Sequence, residues 1–246
     1  MDSAFRPDGI AVVIPALDEV EGVPLVLADI TSMGLLGRTI VVDNGSRDGT
    51  AGIARAAGAS VAVEPRRGYG AACLAGLEFV RAHWPATRIV VFLDADRSDD
   101  PTRIPELVGP ILSGAGDLVL GCRDRELAAR GAVKLHQRIG NAIVCRTILA
   151  MFGHRFRDLG PFRAISVDAL RRLDMRDPGY GWTVEMQVKA LQRGLKVIEV
   201  PVPYRRRIGR SKISGTVTGS IGAALKIGWM VAALRLRPVT PSRGSS

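Results

Sequence analysis

The sequence predicts an α/β fold: a mostly parallel sheet flanked by helices, with a C-terminal amphipathic helical appendage. Three observations predict it. Short runs of β-branched and other apolar residues recur at 9–16, 38–43, 60–63, 88–93 and 117–121, with helix-period patterns between them. Those intervening stretches are long enough for right-handed crossovers between parallel strands. Several of the runs also end on carboxylates where the chain must leave the sheet, and open α/β sheets bind ligands there.

Residues 9–16 give the first buried strand, which Pro15 is expected to end because proline cannot donate to a ladder. Asp18, Glu19 and Glu21 follow, ahead of a helical pattern over 23–30. These acids suit either a helix dipole or a share in nucleotide binding. The second strand, 38–43, ends on Asp43, where a carboxylate can accept hydrogen bonds from a base or ribose. Asn44-Gly45 makes the turn, and Asp48 can cap the next helix. After a short third strand, Gly68-Tyr69-Gly70 opens an alanine-rich helix behind Arg66 and Arg67. Glycines with basic residues before a helix N-terminus suit a diphosphate, and equally an ordinary turn.

The strand over 88–93 runs into Asp94-Ala95-Asp96. Side chains two apart on an extended exit point the same way, so both carboxylates can converge. Two like charges there call for a cation, and Mg²⁺ and Mn²⁺ favour oxygen ligands from carboxylates and substrate phosphates. An acidic loop ahead of the cap Asp100-Pro101 is the competing reading.

With 246 residues the chain can bury one large core. The expected division is a main domain over 1–215, an amphipathic helix over 216–237 and a disordered tail over 238–246. A net charge of +10 suggests an anionic partner, but aromatics at 5% leave few stacking platforms for nucleic acid, which is not expected to bind. Cys73, Cys122 and Cys145 are odd in number and dispersed, as in a reducing compartment. His83, His136 and His154 are too scattered for a metal cluster. The N-terminus lacks a signal peptide's apolar region, and no apolar run reaches the roughly 18 residues of a spanning helix. A cytoplasmic chain is therefore expected, peripheral at the membrane's cytoplasmic face, and self-association is compatible with it.

Val13-Ile14-Pro15-Ala16-Leu17-Asp18-Glu19, Val42 through Thr50 and Leu93-Asp94-Ala95-Asp96 together resemble glycosyltransferase family 2. Within it, the chain looks most like the dolichyl-phosphate mannose synthase type. The resemblance implies a GT-A fold, a UDP- or GDP-sugar donor held with a divalent cation, and a polyprenyl phosphate acceptor. Pro15, Ala16, Asp18, Glu19, Asp43, Gly68 and Asp94 would contact the donor, with Asp94 and Asp96 at the metal. Arg206, Gly209, Ser211 and Lys212 match an Arg-x-x-Gly-x-Ser-Lys segment that closes over donor phosphates in that family. Arg123 and Arg138 fall where it holds the acceptor phosphate. The chain departs from that type at Arg97-Ser98, where Leu-Gln often stands.

A phosphomonoester with a second pKa near about 6 is already largely an anionic nucleophile at neutral pH, so no general base is needed. A soluble hydroxyl acceptor would need one, and Asp158 or Glu185 could serve. The segment 220–236 puts Ile221, Leu225, Trp229, Ala232 and Leu236 on one helical face. That suits an anionic bilayer surface or packing on the main domain.

Overall fold

The computed structural model of the chain describes residues 7–123 and 135–209. Its strands are β1 (Ile10–Ala16), β2 (Thr39–Asp43), β3 (Ser60–Val63), β4 (Ile89–Phe92), β5 (Leu118–Arg123), β6 (Arg163–Ser166) and β7 (Val197–Val202). Its helices are α1 (Val23–Ser32), α2 (Thr50–Ala56), α3 (Tyr69–His83), α4 (Ile104–Leu112), α5 (Leu135–Phe152), α6 (Val167–Leu173) and α7 (Trp182–Gln192). Among the described residues the strands form one sheet in the order β3-β2-β1-β4-β6-β5-β7. Every strand pair is parallel except the two that β6 makes.

Side chains alternate across the sheet, and both faces are dry. Ala11, Val13, Val42, Val90 and Phe92 pack under α3, α5, α6 and α7. Ile10, Val12, Ile14, Val41, Val91 and Leu93 pack against α1 and α4. Burial on both faces is why β1 and β4 read as unbroken apolar runs rather than an alternation. Trp182, fully buried at the start of α7, sets its ring 4.7 Å from that of Phe92 and 6.3 Å from that of Tyr69. It thereby locks the end of β4 to the start of α3.

Pro15 does not end β1. The strand continues through Ala16, with Pro15 paired to Val42 of β2. On the other side the β1–β4 register stops at Val13↔Phe92. The side of Pro15 that lacks an N–H therefore faces a stretch where β4 has already left, and no ladder bond is lost.

β6 is the one strand among the described residues that runs against its neighbours. It inserts between β4 and β5, with Phe92↔Arg163 and Leu120↔Arg163 in register. This orientation brings its start, and residues 158–162 before it, to the end of the sheet where β4 releases Asp94. Arg163 is fully buried there and spends its guanidinium on the carbonyls of Gly160 (2.5 Å), Thr183 (2.9 Å) and Pro161 (3.3 Å). Burial pushes its pKa down, and these carbonyls make the buried cation tolerable.

Cys73, Cys122 and Cys145 are all buried free thiols. No helix among the described residues is long and apolar enough to cross a membrane. The helix expected over 216–237, the tail over 238–246, Ser211 and Lys212 lie outside the described residues.

Candidate active site

The chain lays β2 and β3 on one side of β1 and then crosses to β4 on the other, so the strand order reverses at β1, and the carboxyl ends of these three parallel strands frame a cleft. The cleft holds about 490 Å³. Pro15, Ala16, Asp18 and Glu19 come to it from β1, Asn44 from β2, Gly68 from the start of α3, and Asp94 and Asp96 from β4. These predicted residues are thus brought together, apart from Asn44, for which the sequence reading offered only a turn.

The acids form the cleft's charged end. Asp96 is buried; one oxygen accepts from the Ser98 amide at 2.9 Å and the other lies 3.4 Å from Arg207. Asp99, also buried and absent from the sequence reading, accepts from the Asp94 amide at 3.2 Å. Burial, then the charges of Asp96 and Asp99, pushes the Asp94 carboxyl well above the usual range. Burial and Asp96 push Asp99 up to about 7. Arg207 offsets part of this and also pairs with Glu19 at 2.9 Å. Among the described residues, no three Asp, Glu, His or Cys side chains are grouped to hold a metal unaided. Crowded carboxylates short of a full ligand set fit a Mg²⁺ or Mn²⁺ that takes its remaining oxygens from a diphosphate and water.

Arg97 stands where the sequence departs from the family type. It adopts a positive φ of 63° and turns towards Asp29 of α1, 3.9 Å away, rather than into the cleft. Gly22 touches the same turn, since a Cβ there would collide with the carbonyl oxygen of Ala95. Over it runs the segment 203–209. The Arg205 amide donates to Ser98 O and the Ile208 amide to Asp96 O, each at 2.8 Å. Arg205 also bridges Asp29 and Asp100, at 2.9 Å each.

At the other end, the loops after β1 and β2 are stitched together. The Asp18 amide donates to Ser46 Oγ (2.9 Å), and the Arg47 amide returns to Asp18 Oδ1 (2.7 Å). Asp18 holds φ at 48°, a left-handed conformation that costs energy and persists where its surroundings fix it. Asn44 spends its whole amide on the next loop, donating to Glu64 O and Arg66 O and accepting from Gly68 N. Asp43 is buried behind it and accepts from the Ser46 amide at 3.3 Å, so its present partner is the turn. The start of α3, which the sequence suits to a diphosphate or to an ordinary turn, is held by the loop before α7. The amides of Gly70 and Ala71 already donate to the carbonyls of Gly179 (3.1 Å) and Pro178 (2.9 Å).

The family model described as "Glycosyl transferase family 2" matches residues 11–173, which span β1 through α6. The chain belongs to glycosyltransferase family 2. This glycosyltransferase is 38% identical over 229 residues to an uncharacterized glycosyltransferase of Mycobacterium tuberculosis, covering 91% of the chain and 98% of that relative. It is 30% identical over 233 residues to the undecaprenyl-phosphate mannosyltransferase of Micrococcus luteus, covering 84% and 88%. Among solved structures, it resembles glucosyl-3-phosphoglycerate synthase from Mycobacterium tuberculosis in complex with Mn²⁺, UDP and glucosyl-3-phosphoglycerate. There the TM-score is 0.71 at 26% identity, over 96% of this chain and 81% of that one. The GT-A fold expected from the sequence is the fold of this glycosyltransferase.

The remaining site residues expected in the glycosyltransferase, among those described, lie off the cleft lining. Arg123 is clamped by Asp158: Nε to Oδ2 at 2.7 Å, a second guanidinium nitrogen to Oδ1 at 2.5 Å, and its own amide to Oδ2 at 3.1 Å. Burial disfavours the cation, but the hydrogen bonds and charge of Asp158 outweigh it and raise its pKa. The guanidinium also lies over the ring of Tyr204, 5.2 Å from its centroid. Asp158, so occupied, is not placed to take a proton from an acceptor hydroxyl. Neither is Glu185, which is buried and accepts the amides of Arg176 (3.1 Å) and Asp177 (2.8 Å) while pairing with Lys189 (2.7 Å). Arg138 is exposed on α5, and Arg206 is exposed one residue from Arg207, which lines the cleft together with Arg67. The strict Arg-x-x-Gly spacing singled out the neighbour.

Proposed function

We propose that this glycosyltransferase moves a hexose from a UDP- or GDP-sugar to a polyprenyl phosphate at an anionic membrane surface, on the cytoplasmic face. The observation that carries the lipid acceptor is the outer face of α5. Leu135, Ile139 and Ile143, at 70%, 52% and 51% exposure, form an apolar stripe at four-residue spacing beside the exposed Arg138 and Arg146. Exposed leucine and isoleucine flanked by arginine suit the boundary of an anionic bilayer. α5 also supports the Arg123–Asp158 pair: Asn141 accepts from the Leu159 amide at 3.0 Å and so holds the loop that carries Asp158, the clamp on Arg123. Similarity to the undecaprenyl-phosphate mannosyltransferase supports the same reading.

The reaction is a single displacement at the anomeric carbon: the acceptor phosphate oxygen forms the new bond, the nucleoside diphosphate leaves, and configuration inverts. Asp94 and Asp96 would hold Mg²⁺ or Mn²⁺, which supplies charge neutralisation to the leaving diphosphate when bound. Arg207 stands ready to contribute a second positive charge there. With Asp158 and Glu185 committed elsewhere, an acceptor that needs no general base suits this site best.

A soluble acceptor is the second reading, favoured by the likeness to glucosyl-3-phosphoglycerate synthase. The test is a panel of radiolabelled UDP- and GDP-sugars with Mn²⁺ and polyprenyl phosphate, scored by label entering the organic phase. Transfer should occur with one donor and stop in EDTA or in Asp96→Ala. Label moving only to a water-soluble acceptor would overturn the lipid reading, and undiminished transfer in EDTA would overturn the metal role.

A further inference from the structure

The loop between α6 and α7, residues 174–181, is built as a rigid rim on the cleft. Glu185 fixes the amides of Arg176 and Asp177 from below, and Asp177 Oδ1 accepts from the Gly179 amide at 2.6 Å. The carbonyls of Pro178 and Gly179 cap the start of α3. Glycine at 68 and 70 is what lets the two backbones meet, because a Cβ at either would strike the carbonyl oxygen of Pro178 or Asp177. The loop is thus pinned to the α3 wall of the cleft and, through Trp182, to the end of β4 that releases Asp94.

The residue this rim presents to the cleft is Tyr180. It is 45% exposed, and among the described residues it makes no hydrogen bond, ion pair or ring contact. The other tyrosine of the cleft, Tyr69, is engaged edge-on with Trp182. An ordered loop that holds an uncommitted aromatic ring towards a cleft provides a contact surface for a ligand, since leaving the ring in water forfeits its burial. The charged end of the cleft is furnished for a diphosphate, and the stitched loops after β1 and β2 offer polar groups to a nucleoside. What neither end supplies is a flat apolar face. A pyranose ring, with C–H groups on one side and hydroxyls at its rim, is the part of a sugar nucleotide that such a face fits.

We propose that Tyr180 is the platform against which the donor's hexose stacks, setting both sugar preference and the presentation of the anomeric carbon. This rests on the nucleotide-sugar reading above. The experiment is calorimetric titration of the wild type, Tyr180→Phe and Tyr180→Ala with UDP, UDP-glucose, GDP and GDP-mannose in Mn²⁺. Tyr180→Ala should weaken the bound sugar nucleotide about three- to tenfold, the range of a single aromatic contact, and leave its nucleoside diphosphate within about twofold. Tyr180→Phe should retain wild-type affinity for both. Equal weakening of sugar nucleotide and nucleoside diphosphate, or weakening of neither, would overturn the proposal while leaving the donor reading intact. A wild type that binds none of the four would overturn the donor reading itself.

Discussion

Asp158→Asn separates a structural role for the Arg123–Asp158 pair from a solvent-exposed, dispensable one. The side chains are only 18% and 7% exposed, so solvent screens little of the interaction. Asparagine keeps the shape but turns one acceptor into a donor that faces the guanidinium, leaving Arg123 as a buried cation without its counter-charge. Breaking one partner of a buried pair costs about 3–5 kcal/mol. At roughly 2–4 °C per kcal/mol for a chain of this size, the melting temperature should fall by about 6–20 °C. Scanning calorimetry gives the fall directly. The double change Arg123→Met with Asp158→Leu should recover most of it, because it removes both charges and keeps the volume. A fall under about 2 °C in Asp158→Asn, or a double variant no better than the single, would refute this reasoning and return Asp158 to the list of available bases.

Two further outcomes follow from the acid cluster and its neighbour. In metal-free solution the raised Asp99 pKa means the folded chain keeps a proton that the unfolded chain gives up above its ordinary value near 4. Stability from this group is therefore complete below about pH 4 and declines as pH rises towards about 7. Asp99→Asn should flatten that decline, melting higher than the wild type at pH 8 in EDTA and level with it at pH 4; a parallel decline in both would remove Asp99 as its source. Gly22→Ala should impair nucleotide binding although residue 22 has φ −79° and ψ −45°, which alanine adopts freely. The added Cβ meets the Ala95 carbonyl and must shift the turn that carries Asp96, at about 1–3 kcal/mol. Wild-type affinity for the nucleotide, by calorimetry, would show that the turn yields without consequence.

The parallel half of the sheet was legible because β1, β2 and β4 are dry on both faces and so write uninterrupted apolar runs. Their carboxyl ends were legible for the same reason, which located Asp18, Glu19, Asp94 and Asp96 at the cleft, while Pro15 and Ala16 followed from the family resemblance. The antiparallel course of β6 was not, since four residues such as Arg163–Ser166 carry no signal of direction. Buried charge was the other blind spot. Glu185 reads as a catalytic candidate, and nothing in the sequence marks Asp99 or Arg163 as buried, because the packing around each residue rather than the local pattern decides its burial. Asn44 hid inside an Asn-Gly turn, whose local chemistry explained it too well. Arg207 was passed over for Arg206 since motif spacing fixes a residue along the chain but not the side its guanidinium takes.

The crossing of segment 203–209 over the turn after β4 has a consequence for how the protein is made. Glu19, Asp29, Asp96 and Asp100 emerge from the ribosome at least about a hundred residues ahead of Arg205 and Arg207, which pair with them. A nascent chain that has already laid down β1, β2 and β4 therefore carries a knot of acids without these cations. Synthesis past residue 207 is what balances it, so the cleft acquires its charge pattern only after the strands that frame it have been made.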